Sequence, residues 1–417
     1  MTSSITVQVA TSIAALDAAQ WDACANPPAG PAEAGAARNP NPLPAPGNTM
    51  APDRSGERFN PFLSHAFLKA LESSGSVGGK TGWLPAHVAV EQNRRIIAVA
   101  PTYLKSHSQG EYVFDHAWAE AFSRAGGRYY PKLQIAVPFT PATGRRFLVE
   151  PGSDVDQAEG ALVAGLRSLR REVKASSIHA TFVTKAEWDR FGALGWLQRT
   201  DQQFHFINDG YGGFEDFLAD LASRKRKAIK RERKDALAHG ITIEHVTGSD
   251  LREEHWDAFF GFYMDTGSRK WGRPYLDRRF FSLIGESMPE RVLLVMAKRA
   301  GRYIAGALNL IGDDALYGRN WGAVEDHPFL HFEVCYYQAI DFALSRGLAR
   351  VEAGAQGEHK LARGYRPIPT YSVHDIADKR LAAAVSDYLD HERAYVDHAV
   401  EQLGEHLPFR QDDRGDQ

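Results

Sequence analysis

Apolar residues recur along this chain at helical spacing and then at alternate positions, and the same order appears twice. An apolar helix is predicted at 60–72 (NPFLSHAFLKALE) and another at 275–286 (YLDRRFFSLIGE). Each precedes two strands joined by a tight, Arg-bearing turn: AVEQNRRIIAVA at 89–100 and MAKRAGRYIAGA at 296–307. An aromatic strand is predicted after each hairpin, EYVFDHAW ending at Trp118 and ALYGRNWG around Trp321. A repeat this long implies two similar α/β units rather than a solenoid. Turn signals in TDQQFHFINDGYGG place the junction near 199–213, giving units at 1–205 and 206–378.

In the second unit a helix is predicted at 214–239, with Phe214, Phe217, Leu218 and Leu221 on one face and Gly240 as its stop. A strand follows at 241–246, a helix at 256–266, and strands at 292–298, 303–311 and 315–320. A helix at 332–346, ended by Gly347, leads to a strand at 349–353. In the closing segment 379–417, Leu381, Val385, Leu389, Val396, Val400 and Leu403 predict a helix packed on the body, followed by an acidic tail. The first unit carries an insertion at 25–59 with eight prolines between Pro27 and Pro52, a composition expected for a mobile surface loop.

Hydrophobic content of 43% and charged content of 24% over 417 residues fit a soluble globular chain. A net charge of −3 gives no global attraction to DNA or membranes, so a phosphate-bearing partner must use a local patch. Two distant cysteines, Cys24 and Cys335, fit a reduced, cytoplasmic setting. No secretory signal or membrane-spanning run is visible, which allows at most peripheral contact with the cytoplasmic face of the membrane. The absence of Walker A, GxGxxG, GxSxG and CxxC patterns disfavours P-loop phosphoryl transfer, dinucleotide redox chemistry and elbow-type serine hydrolysis.

Chemistry concentrates in 316–367. Glu352-Ala-Gly354, Gln356-Gly357-Glu358-His359-Lys360 and Arg363-Gly364 follow a strand end, where α/β folds commonly carry active sites. Acid, base and cation within so few residues point to catalysis or anion binding rather than turn punctuation. The run SRKRKAIKRERK at 223–234 holds eight Lys or Arg among twelve residues, with Glu232 the only acid. Its charge cannot be explained by i,i+4 pairing, and Arg226 and Lys230 become candidates for binding an anion. His327, His331, Glu333, His359 and His374 match no zinc spacing, so no metal is expected. Cys335 reads as a packing cysteine. Arg269 and Trp271 (RKWGR) are candidates to cap a substrate pocket. Asp115-His116-Ala-Trp118, Tyr129-Tyr130-Pro-Lys132 and Pro138-Phe139-Thr140-Pro141 suggest one wall of a cleft.

NPFLSHAFLKALE, PKLQIAVPFTPATGRR, SRKWGRPYLDRRFF, LYGRNWG, LHFEVCYYQ and EAGAQGEHKLARGY together resemble the FemAB-like predicted N-acyltransferases, also labelled peptidoglycan biosynthesis/recognition proteins. The resemblance runs from about 60 to 374 and implies two tandem GNAT-like domains with mixed central sheets. It also implies an acyl-CoA-dependent N-acyltransferase with no bound cofactor, most specifically a bacterial ceramide synthase acting on a sphingoid base. More distant Fem transferases take amino acids from aminoacyl-tRNA to a peptidoglycan precursor, and tRNA is a partner only on that alternative. A non-catalytic lipid or cell-wall recognition module is a third. In Fem transferases a Lys of an FK-type motif after the last strand assists catalysis; HKLARGY is similar, which implies that role for Lys360.

N-acylation needs a neutral amine, and a long-chain amine sits near the reference Lys pKa of about 10.4, so a base is required. Glu352 or His359 is assigned that role. Lys360, with N–H groups near Gly354 and Gly357, is assigned to the oxyanion, a contribution of roughly 3–4 kcal/mol per donor. Glu333 and His331 support these groups. Arg363, Gln356, Trp321 and Arg319 complete the expected substrate contacts.

Overall fold

The computed structural model describes residues 4–28, 58–270, 274–355 and 357–410. Most of the Pro-rich insertion and the end of the acidic tail lie outside the described residues, as do Trp271 and Gln356. Two sheets carry the chain, a small antiparallel one and a large mixed one. The smaller has four strands, in the order Ile5–Ala10, His87–Gln92, Arg95–Ala100 and Leu148–Val149.

The larger sheet has eleven strands. Ile241–Thr247 forms one edge, followed by Val292–Arg299, Arg302–Ile311, Ala315–Ala323 and Arg350–Glu352. Leu197–Ile207 is the central strand. Arg366–Ile376, Ser177–Val183, Lys132–Ile135, Thr102–Lys105 and Trp83–Pro85 continue to the far edge. Strands of both expected units thus share one sheet, and its central strand runs through position 205.

Both predicted hairpins form, with turns that match the twist of their strands. Asn93 and Arg94 adopt φ of 53° and 65°, and Ala300 and Gly301 adopt 49° and 75°, the left-handed pair that a two-residue turn needs. Each hairpin also slips register near its turn, between Val90 and Glu91 and between Ala297 and Lys298. The repeat then diverges. Ala315–Ala323 is the expected aromatic strand, but EYVFDHAW is not a strand. Its acids Glu111 and Asp115 turn inward to Lys132, leaving Tyr112 and Phe114 exposed, and a helix begins at His116.

The helix expected at 214–239 is two, Phe214–Asp220 and Ser223–Ala236. The C-terminal segment splits it: Leu221 bridges to Phe409, and the Ala222 N–H donates to the Pro408 carbonyl (2.9 Å). The helix expected at 332–346 holds a π turn, Glu333–Tyr337, between Leu330–Phe332 and Gln338–Ser345.

One apolar core joins both units through Trp21, Phe62, Phe67, Trp256, Phe259 and Phe281. A second, on the other face of the large sheet, gathers Phe204, Phe206, Phe217, Ile340 and Tyr365. Each buried aromatic of this kind contributes about 1.5–3 kcal/mol. The C-terminal helix Lys379–Glu405 buries Leu381, Val385, Leu389 and Val396. The fold class read from the sequence holds: α/β units around a large mixed sheet followed by a C-terminal helix. No helix of the described residues is long and apolar enough to cross a membrane.

Candidate active site

The strand Ala315–Ala323 is paired along one side with Arg302–Ile311. On its other side only Ala315, Leu316 and Tyr317 are paired, in parallel, with Arg350, Val351 and Glu352. The chain then leaves: the Ala353 N–H donates to the Phe204 carbonyl and the Phe204 N–H to that of Gly354, both at 3.1 Å. Gly354 (φ 74°) and Gly357 (φ 100°) supply left-handed backbone for this departure. The sheet therefore opens as a wedge, and among the described residues no strand pairs with 318–323 there. A bulge orients what borders it. Leu308 opposes Asn320 and Asn309 opposes Gly318, so Arg319 is the extra residue. Arg319 and Asn320 consequently face the inter-unit crevice, whereas Trp321 packs against the opposite core.

On the Trp321 face, side chains predicted from sequence converge. Trp321 meets His331 edge-on at 5.2 Å, and His331 lies 6.2 Å from His359 and 5.3 Å from Tyr336. The Tyr336 hydroxyl and His359 Nε2 share a hydrogen bond of 3.0 Å. Phe332 lies 5.4 Å from His359 and 3.4 Å from the Arg363 guanidinium. Partial desolvation beside Phe332 and Tyr336, then Arg363 and Lys360, lower the pKa of the largely exposed His359, so its imidazole is neutral near pH 7. Lys360 is 3% exposed and its Nζ donates to the carbonyls of Ala353 (2.6 Å) and Gly354 (3.1 Å). Its neighbours are carbonyls rather than carboxylates, and burial lowers its pKa to about 8. Arg363 Nη1 donates to the His359 carbonyl (2.7 Å) and Nη2 to Glu232 (2.8 Å).

Glu352 serves the other face. It is 4% exposed; Oε1 accepts from Arg350 Nε (3.0 Å), while Oε2 has no hydrogen-bond partner among the described residues. His205 stands opposite on the central strand, its Nε2 3.9 Å from Glu352 Oε2 and 3.4 Å from Gln203 Oε1. Burial lowers the His205 pKa. A narrow apolar crevice, with a free volume of about 10 Å³, lies between the units on this side. Phe62, Phe67, Phe139, Leu276 and Phe280 line it, with Thr140, Arg319 and Asn320 as its polar groups. Burial lowers the Arg319 pKa, and Glu352 is among the groups that oppose this. Among the described residues, neither Glu352, His205 nor any residue of the loop 353–364 lines the crevice.

The basic helix corrects one expectation. Much of its charge is paired in three dimensions. Arg233 grips the fully buried Glu333 (3.0–3.2 Å) and Asp341 (3.1 Å), and Lys230 reaches Glu215 (2.8 Å). Glu232 accepts from Arg363 and from the Tyr337 hydroxyl. Among the described residues, Arg224, Lys225, Arg226 and Lys227 make no ion pair. Glu333 thereby anchors the π turn, with Gln338 (2.7 Å) as its third partner.

The histidines weighed as metal ligands scatter. His327 pairs with Glu325 (2.9 Å), and His374 lies against His179 in the first unit (2.7 Å). Cys335 is half-buried. Arg269 lies near the end of the helix Glu253–Lys270. Sequence reasoning missed His205, Tyr336, Phe332 and Glu232. For His205 a signal existed: Gln203 and His205 alternate with Phe204 and Phe206, placing polar groups on one face of a buried strand.

An open wedge in a mixed sheet has a His/aromatic cluster on one face and, on the other, a buried carboxylate with one oxygen bonded to Arg350. Residues 12–411 match the FemAB-like family, described as peptidoglycan biosynthesis/recognition, and the protein belongs to that family. Similar solved structures include FemX (14% identity, TM-score 0.49, covering 76% of this chain and 94% of that one). A tandem GNAT protein from the clavulanic acid biosynthesis pathway is 12% identical (TM-score 0.42, 90% and 99% covered). L-PGS from Bacillus licheniformis is 8% identical (TM-score 0.46, 85% and 99% covered). Among curated proteins there is no match.

Proposed function

We propose that the protein is an acyl-CoA-dependent N-acyltransferase whose acceptor is a sphingoid base, sphinganine or its 3-keto form, which makes it a bacterial ceramide synthase. The wedge beside Ala315–Ala323 carries this reading, because its two faces differ in the way acyl transfer requires. On this face the long apolar tail of an amine parts the side chains of Phe62, Phe139 and Phe280 to widen the narrow crevice, and its ammonium meets Glu352 Oε2 outside the crevice lining. The proton passes to Glu352 or to the neutral His205 beside it, giving the free amine its lone pair. The nitrogen attacks the thioester carbonyl and the C–N bond forms; as the C–S bond breaks, the surplus proton on nitrogen passes to the departing sulfur, so that CoA leaves as the thiol.

Oxyanion charge is met by Lys360. Two of its three ammonium hydrogens are held by carbonyls, leaving one donor for the intermediate. His359 and Arg363 border the thioester side, with His331, Tyr336 and Trp321 as its apolar lining.

Acyl-CoA consumption, read as free thiol released with sphinganine, tests the reading. Turnover that falls about 100-fold in Glu352→Gln is the expected result. No thiol release with any sphingoid base would defeat it; ribonuclease-sensitive aminoacyl transfer would put a Fem-type reaction in its place, and tight lipid binding without turnover a recognition module.

A further inference from the structure

The basic helix Ser223–Ala236 has two halves with opposite electrostatic states. Its C-terminal half is locked to the candidate active site. Glu232 holds Arg363, whose Nη1 in turn holds the His359 carbonyl, and Arg233 holds Glu333 at the start of the π turn that carries Tyr336. Its N-terminal half presents Arg224, Lys225, Arg226 and Lys227 in succession, without an ion pair among the described residues. Arg224 and Lys227, three residues apart on one face, repel each other, and all four cations stand at the end of the helix where the macrodipole also disfavours positive charge. Only Ile229 and Ala236 anchor the helix in the core. At the other half, Arg363 is 6% exposed, its guanidinium lies 3.4 Å from the Phe332 ring, and its buried Nε–H has no hydrogen-bond partner among the described residues.

We propose that this helix is a polyphosphate-operated clamp, in which a multiply phosphorylated small molecule seated on Arg224, Lys225, Arg226 and Lys227 fixes the 357–364 loop through Glu232 and Arg233. The inference rests on the acyl-CoA reading for its natural ligand, the nucleotide bisphosphate end of that co-substrate. Glu232 is a positioning residue: it touches Arg363 and Tyr337, and it acts on His359 through Arg363. Arg224 and Lys227 share one face of the helix, with Arg226 and Lys225 to either side of it, a spread that suits two or more phosphate groups rather than one.

Hydrogen exchange by mass spectrometry on the full chain, with adenosine 3′,5′-bisphosphate as probe, tests the clamp without any thioester chemistry. At ten times its dissociation constant the probe slows exchange about tenfold in both 223–236 and 357–364 of the unaltered protein. With Arg224, Lys225, Arg226 and Lys227 all changed to Gln, both protections vanish. In Glu232→Gln, protection of the helix survives and that of the loop is lost. Tyr337→Phe, which removes the other donor to Glu232, weakens loop protection in the same sense and serves if Glu232→Gln unfolds.

Protection confined to the helix in the unaltered protein, or binding indifferent to the four-cation change, overturns the clamp. So does protection produced by anionic vesicles or short RNA but not by the bisphosphate. Loop protection without thiol release would sink the acyltransferase reading alone, and thiol release without loop protection would sink the clamp alone.

Discussion

Two buried lysines, one in each half of the molecule, show what separates a structural cluster from a reactive one. Lys132 is wholly buried and donates to Glu111 (2.7 Å), Ser108 (2.8 Å) and Asp115. Burial alone would lower its pKa, but Glu111 and Asp115 more than offset that and raise it. Burial would likewise raise Asp115, yet Lys132 and His179 hold its carboxyl well below the usual range. Lys360 is buried almost as deeply, meets only carbonyl oxygens, and falls to about 8. Burial is common to both; the partners decide. A charge compensated by two carboxylates is committed to holding the fold, whereas one left uncompensated is available to a developing oxyanion.

Removing Lys132 tests this contrast most severely. Lys132→Met strands Glu111 and Asp115 in the interior and costs about 3–5 kcal/mol of stability, read by denaturant unfolding. Lys360→Met lowers thiol release about 100-fold or more while costing only about 1 kcal/mol, because it removes a donor from two carbonyls and strands no charge. Equal stability losses in the two variants would erase the distinction.

Alkaline pH separates the same residues by sign. The folded pKa of Lys360, about 8, lies below its ordinary 10.5, so between those values the unfolded chain binds more protons and stability rises with pH. Lys132 is shifted upward, so its contribution is present at and below 10.5 and is lost as pH climbs through its folded value. Unfolding measured from pH 7 to 11 should lose its rising limb in Lys360→Met and its high-pH fall in a Lys132 variant that still folds. Thiol release should decline above about pH 8 in the parent, and later in Lys360→Arg, whose guanidinium keeps its charge.

Smaller effects refine the picture. His359 is exposed, so His359→Ala leaves the thermal melt unchanged while reducing turnover roughly tenfold to 100-fold, the span of a lost proton-transfer or orienting group. A drop in the melt would give His359 a packing role instead. Lys230→Gln breaks a pair exposed at both ends and should shift stability by less than about 0.5 kcal/mol.

Local chemistry was readable along the chain wherever the decisive contacts lie close in sequence. The hairpins at 89–100 and 296–307 follow from alternation and their turn residues, and the C-terminal helix from its apolar spacing. The run 111–118 alternates as well, yet it is not a strand, because Lys132 draws Glu111 and Asp115 inward from well outside the segment. Continuity of the 214–239 helix was lost to residues 408 and 409, almost two hundred positions away. The basic run looked unpaired because its partners Glu333 and Asp341 come from later elements and Glu215 from the helix before it.

By itself the sequence determined that acid, imidazole and ammonium would crowd one loop after a strand, since residue type and spacing along the chain carry that information. Only tertiary structure decided what those groups confront. The wedge exists because Ala353 and Gly354 hydrogen-bond to Phe204 rather than to the strand Ala315–Ala323, and the free oxygen of Glu352 exists because Arg350 satisfies its twin. Hydrogen-bond partners are chosen by proximity in space, a quantity that composition and periodicity do not contain.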